Sequence, residues 1–340
     1  MEDSNMDQIA FIIDGRVVHW SFLMVALGGA VAVCLFAWLY TRQSENWSGT
    51  AWMLLLSCPL SLVLSRLVHW YCRYTSYPDM TTALTDYSVG GYALIGVFAG
   101  CLISALLLRL TRRVDNLGQL LDCACIAGAA GISVGRLACF FNADDRGMLL
   151  GDTARLPLAY GSISPISGAE EIRLATFLLQ AFCAGILFLA LLHFYVRQDR
   201  TPGITRDGDV FGIFMVIYCA SQAVLDSTRY DSLFLRSNGF VSLVQILCLV
   251  TLVAAMVVFS ARMIKAVGWH PALLLLWVPA LALLGGAGYM EYFVQRHGDQ
   301  AAFAYSTMSV CLGCYALLTL AVRWIGARLQ RQPNIWQQTT

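Results

Sequence analysis

The sequence predicts an all-α polytopic membrane protein, a bundle of about nine transmembrane helices. Two observations carry this. The 340 residues are 58% hydrophobic and 13% charged, with mean hydropathy +0.65, whereas soluble domains carry about 25% charged residues. The apolar residues also fall in runs of the length, about 20 residues, that spans a bilayer. A soluble fold of this size could not bury so much apolar surface. The net charge of +1 and the lack of any basic run give no field to attract nucleic acid.

Nine apolar runs follow in order. The first covers about 18–40 and the second 51–70, with Pro59 inside and a kink expected there. The third covers about 89–110. The fourth, 117–141, is broken by Asp122 and several glycines. The fifth covers 174–196, the sixth 210–228, the seventh 240–261, the eighth 271–290 and the ninth 303–322. The charges predict the orientation. With the N-terminus outside, the inner segments collect Arg42, Arg109, Arg112, Arg113, Arg197, Arg200, Arg206, Arg262, Lys265 and the arginines of the tail. The outer segments then collect most of the acids, which the positive-inside rule favours. The N-terminal residues are acidic and lack the basic start of a cleaved signal peptide.

Most of the 12 cysteines lie in apolar runs, where cysteine behaves as a small hydrophobe. The pairs Cys123/Cys125 and Cys311/Cys314 have no companion ligands at metal-site spacing, so neither metal nor cofactor is expected.

The chemistry concentrates in Gly135-Arg136-Leu137-Ala138-Cys139-Phe140-Phe141-Asn142-Ala143-Asp144-Asp145-Arg146-Gly147. Ionisable groups at a membrane helix end are costly and mark functional sites by default; the plainer use of Arg136 is a snorkelling anchor. In the N-out orientation, Arg66 and His69, Arg136 and Asn142, and Gln222, Asp226 and Arg229 all fall at outer helix ends. Polar residues gathered at one end predict a shared cavity, where scattered anchors would divide between both sides. Asp226 and Arg229 are three apart, so they share a helical face and could pair there, and Arg66 and His69, also three apart, face together. Polar patches that glue helices are the bland alternative. Arginine's fork matches phosphate geometry, so a lipid phosphate is the natural ligand. The turn-rich segment 143–173 is long enough to act as an access gate.

These residues resemble the prolipoprotein diacylglyceryl transferases of bacterial inner membranes, over about residues 15–262. That family's signature reads Gly-Arg-x-x-Asn-Phe-x-Asn-x-Glu-x-x-Gly. Gly135, Arg136, Phe140, Asn142, the acid Asp144 and Gly147 match it, with Cys139 at the first asparagine. Val18 to Met24, Ser65 to His69, Gly90 to Gly96, Tyr218 to Arg229 and Asn238 to Leu247 resemble further segments of the family in the same order. The departures are specific. Gly91-Tyr92-Ala93 stands where the family has His-Gly-Gly, Gln222 stands at an arginine, and only Gln180 echoes a glutamate-bearing segment.

The resemblance implies a transferase that moves a diacylglyceryl group from phosphatidylglycerol to the lipobox cysteine of a prolipoprotein signal peptide. It implies Arg136, Asn142, Asp144 and His69 as catalytic residues, with His69 or His19 replacing the missing histidine. It implies Arg66, Arg136, Arg229, Asp226, Gln222 and Tyr218 as the lipid and phosphate contacts. It divides the chain into an outer segment 1–17, a seven-helix domain 18–262, two additional helices in 263–326 and a cytoplasmic tail 327–340. A relative with another lipid or acceptor, or a non-catalytic lipid-binding or transport protein, remains the alternative.

Overall fold

The computed structural model describes residues 9–13, 16–85, 91–142, 147–150, 158–163, 168–200, 206–236, 238–297 and 300–329. Its helices are α1 (Trp20–Ser44), α2 (Trp47–Cys72), the short α3 (Met80–Thr85), α4 (Leu94–Leu110), α5 (Leu117–Gly135), α6 (Thr176–Arg200), α7 (Asp209–Ser227), α8 (Leu243–Val267), α9 (Ala272–Arg296) and α10 (Ala301–Leu329). Eight of these are long and apolar enough to cross a membrane, and α4 is a shorter apolar helix. The chain is a multi-pass membrane protein. Large apolar side chains such as Phe22, Leu275 and Leu317 are exposed, as lipid-facing residues are.

The chain divides into two compact units, Met1–Phe188 with Arg229–Val244, and Leu189–Thr228 with Gln245–Thr340. In the first unit, α2 packs on α4 through small residues. Ser61 Oγ donates to the Val97 carbonyl at 3.2 Å and Ser65 Oγ to the Ala93 carbonyl at 2.9 Å. A Cβ added at Gly100 would meet Ser61 Cα at 2.6 Å. Such small-residue faces let backbones approach where lipid offers no hydrophobic drive. The helix pair α1 and α5 uses the same device, since a Cβ at Gly28 would meet the Gly131 carbonyl oxygen at 2.7 Å and Gly135 N at 2.8 Å.

Two expected boundaries change. The first span begins at Trp20, because Val18 and His19 belong to a hairpin of β1 (Ile9–Ile13) and β2 (Arg16–His19). The third begins at Leu94, because Gly91 holds φ +116, a conformation closed to a helix, and the Ala93 amide donates to the Ser65 carbonyl at 3.2 Å. Its 17 residues rise about 26 Å at 1.5 Å per residue. Pro59 lies inside the continuous helix α2.

Two further hairpins lie at helix ends of the first unit, outside the helix-only reading. β3 (Ala159–Ile163) pairs with β4 (Glu170–Leu174), directly before α6. β5 (Phe234–Leu235) pairs with β6 (Asn238–Ser242), directly before α8.

In the second unit, α9 and α10 are tied to α7 and α8 by buried and partly buried polar bonds. Trp277 Nε1 donates to Ser260 Oγ at 3.0 Å, Tyr305 Oη to the Ser227 carbonyl at 3.0 Å, and Tyr315 Oη to the Leu252 carbonyl at 3.2 Å. Glu291 accepts from Ser227 Oγ at 2.7 Å and from Gln245 Nε2 at 2.9 Å.

Candidate active site

The central motif starts where α5 tightens into a 3-10 turn, Arg136–Phe140. Apolar residues and glycines carry α5 to this point, and Gly28 lets α1 lie against Gly131 and Gly135 just before Arg136. Arg136 and Asn142 are both half-buried. Cys139 turns inward and packs with Ala175, Phe177 and Tyr160. Phe140 meets the Phe177 ring edge-on at 4.8 Å, and Phe141 lies 6.1 Å from Trp20. Asp144, with its neighbours at 143–146, lies outside the described residues.

The motif's last glycine is tightly enclosed. The Gly147 amide donates to the Leu174 carbonyl at 3.1 Å, and a Cβ there would collide with that carbonyl oxygen. The Gly147 backbone also bridges to Arg229. Arg229 therefore stands beside the motif's end, two residues past the end of α7. Its guanidinium grips Asp231, Nε and Nη2 both at 3.1 Å. Asp231 in turn offers its carbonyl to Arg73 at 2.8 Å.

Arg173, which the sequence reading passed over, holds this corner together. It is 6% exposed. Its Nη1 donates to the Gly147 carbonyl at 3.1 Å, and Nε and Nη2 grip Glu171 at 3.0 and 2.7 Å. Its guanidinium lies 5.0 Å from the Tyr230 ring centroid. The only sequence signal was an acid and an arginine two apart, on one face of a strand. The gate segment is thus folded, in its described part, into the β3–β4 hairpin.

Arg66 and His69 do share a face of α2, and one residue joins them. Tyr77 Oη lies 2.9 Å from His69 Nδ1 and accepts from Arg66 Nη1 at 3.3 Å. Arg66, 3% exposed, also donates to the carbonyls of Ala83 at 2.8 Å and Gly91 at 2.9 Å, with its guanidinium near the Tyr77 and Tyr92 rings. Its bonds fasten the segment between α2 and α4. Within that segment Asp79 caps α3, and its bonds from Thr82 keep its carboxyl below the usual range.

In the second unit, Tyr218, Gln222 and Asp226 recur every fourth residue on one buried face of α7, at 8%, 3% and 1% exposure. Gln245, in the first turns of α8, donates to the Ala223 carbonyl at 3.3 Å.

Residues 8–261 match the family model for prolipoprotein diacylglyceryl transferase. The chain belongs to the prolipoprotein diacylglyceryl transferase family. It is 23% identical over 259 residues to a phosphatidylglycerol–prolipoprotein diacylglyceryl transferase of Clostridium kluyveri, covering 76% of this chain and 98% of the relative. It is 25% identical over 263 residues to the protein of that name from Lactococcus lactis subsp. cremoris, covering 76% and 96%. A Streptococcus equi subsp. zooepidemicus relative of the same name is 23% identical over 266 residues, covering 78% and 99%. Helices α9 and α10 lie beyond the family match.

Family membership gives the departures a physical setting. Gly91, which the resemblance sets at a family histidine, has no room for a side chain: a Cβ there would meet the His69 ring, with Nδ1 at 2.7 Å and Nε2 at 2.8 Å. The imidazole of His69 fills the space that a residue-91 side chain would enter. Cys139, which the resemblance sets at a family asparagine, sits among apolar side chains that suit a thiol better than an amide. Gln222, which the resemblance sets at a family arginine, is buried on the same face of α7 as Asp226.

Proposed function

We propose that this chain transfers a diacylglyceryl group from phosphatidylglycerol to the lipobox cysteine at the end of a prolipoprotein signal peptide. The setting is the bacterial inner membrane, with the N-terminus outside and the C-terminus in the cytoplasm. The family match over residues 8–261 carries the reading, because it contains every residue of the candidate site. In the reaction the acceptor thiolate attacks the glyceryl carbon, a C–S bond forms, the C–O bond to phosphate breaks, and glycerol phosphate leaves. The thiol proton must go to a base, and the leaving phosphate gains charge that fixed cations stabilise.

Arg136 takes the phosphate, through the fork that suits its oxygens. Asn142 and Asp144 orient the glycerol. His69 is the base, and its contact with Gly91 supports this, since an imidazole already fills the place where the family's histidine would begin. Arg66 acts as a clamp on the 77–92 segment that keeps His69 in place. Arg229 supports the motif's end through Gly147, and Tyr218, Gln222 and Asp226 supply a second polar face. Residues 18–262 form the catalytic domain, and the helices within 263–326 are an addition to it.

Complementation tests the reading. A strain depleted of its own transferase should process prolipoprotein when it carries this chain, and should fail with Arg136→Ala. Failure of the unmutated chain would instead favour a relative with another lipid or acceptor, as the glutamine at position 222 suggests.

A further inference from the structure

A second arginine cluster lies in the second unit, at the opposite end of α7 from Asp226. Asp209 opens α7, and its two carboxylate oxygens are both engaged. Oδ1 accepts from Arg262 Nη1 at 2.9 Å. Oδ2 accepts from Arg323 Nη2 at 3.0 Å and from the Arg206 amide at 3.1 Å. Arg206, Arg262 and Arg323 line an open surface pocket, with Phe259, Met263 and Gly326 as its apolar wall.

The charges in this pocket do not balance. Three arginines line a pocket that holds one carboxylate, leaving an excess of two positive charges; the guanidinium groups of Arg262 and Arg323 grip Asp209, and Arg206 reaches it through its backbone amide. Asp207 follows Arg206 but is exposed and does not line the pocket. Arg323 is only 12% exposed, it stacks over Phe194 at 4.9 Å, and its buried Nε has no hydrogen-bond partner among the described residues. Arg262 spends one of its five N–H donors on Asp209 and makes no other hydrogen bond among the described residues. Arginines serving as separate membrane anchors would each reach toward the head groups alone. Here they converge from the segment before α7, the end of α8 and the end of α10, and one carboxylate holds two of them in place. Such a pre-set fork array is the usual receptor for phosphate oxygens.

We propose that this pocket binds a phosphate group, carried by an anionic phospholipid head group or present as free phosphate. In the orientation proposed above it faces the cytoplasm. Arg323 comes from α10, beyond the family match, so the pocket is completed by the last added helix and belongs to the second unit, whereas Arg136 belongs to the first.

The test uses the full-length chain in detergent carrying Arg136→Gln, which removes the other proposed phosphate site. Phosphatidylglycerol retention is read by native mass spectrometry, and inorganic phosphate binding by titration calorimetry. Arg323→Gln should weaken binding of one of these probes roughly tenfold, about the 1.4 kcal/mol equivalent of one lost charge-assisted contact. Arg206→Gln guards against misfolding, because its side chain is exposed and its link to Asp209 is through the backbone; it should weaken the same probe. Loss of lipid retention names the lipid as the source, and loss of phosphate binding alone names the free anion. Unchanged binding of both probes in both variants overturns the proposal.

Discussion

Glu291 accepts the Ser227 hydroxyl hydrogen bond at 2.7 Å and so ties an added helix, α9, to the last turn of α7. The same carboxylate oxygen takes Gln245 Nε2 at 2.9 Å. Removing it takes an acceptor from the Ser227 hydroxyl and from Gln245, which keeps its bond to the Ala223 carbonyl, and a donor left orphaned costs about 1–3 kcal/mol when fully buried, less in this partly buried setting. Glu291→Ala should therefore lower the melting temperature in detergent, while Glu291→Gln, which keeps an acceptor, should stay near wild type. Equal melting of all three proteins would show that this link contributes nothing.

Gly91 and His69 form a second tight pair. Gly91→Ala adds a Cβ against the imidazole at φ +116, and a strained backbone of this kind costs about 1–3 kcal/mol before any clash is counted. Stability and transfer rate should both fall. Adding His69→Ala should recover part of the stability and none of the rate. A double-mutant cycle measures the coupling, and additive stabilities would mean that the ring and the glycine do not press on each other.

Arg173 is the tie between the motif's end and the β3–β4 hairpin. Its loss strands Glu171, whose side chain is 22% exposed, and breaking a buried pair in this way costs about 3–5 kcal/mol, less where water reaches. Arg173→Gln should unfold the hairpin first, seen as proteolytic nicking between residues 147 and 174. Arg173→Lys should not restore resistance, because an ammonium cannot serve Glu171 and the Gly147 carbonyl with one fork. Resistance equal to wild type in the glutamine variant would remove Arg173 from this role.

Gly28 sets the spacing of α1 and α5 immediately before Arg136. Gly28→Ala puts a methyl group 2.7 Å from the Gly131 carbonyl oxygen, and overpacking of this sort typically costs about 1–3 kcal/mol. The expected result is a lower transfer rate with prolipoprotein peptide, together with a modest loss of stability. An unchanged rate would show that the helix spacing does not govern Arg136.

The spans were legible because each needs only its own apolar length, and length is a local property. The shared face of Tyr218, Gln222 and Asp226 was legible from helical period alone. The backbone bridge of Arg229 to Gly147 was not legible, because it forms past the end of α7 at Ser227 and joins residues 82 apart in the chain. The start of α4 was misplaced because apolar content does not register the backbone of Gly91. Arg173 escaped notice since its value lies in the Gly147 carbonyl, 26 residues away.

The sequence by itself determined the solvent, the helices and, through the motif from Gly135 to Gly147, the kinship. Composition and order suffice for these, because each is a sum over neighbouring residues. Only the tertiary structure decided that His69 takes up the space at Gly91, that Arg66 is fastened to carbonyls, and that Asp209 gathers arginines from α8 and α10. Those outcomes depend on which atoms meet across long separations, where sterics and charge pairing select one partner among many.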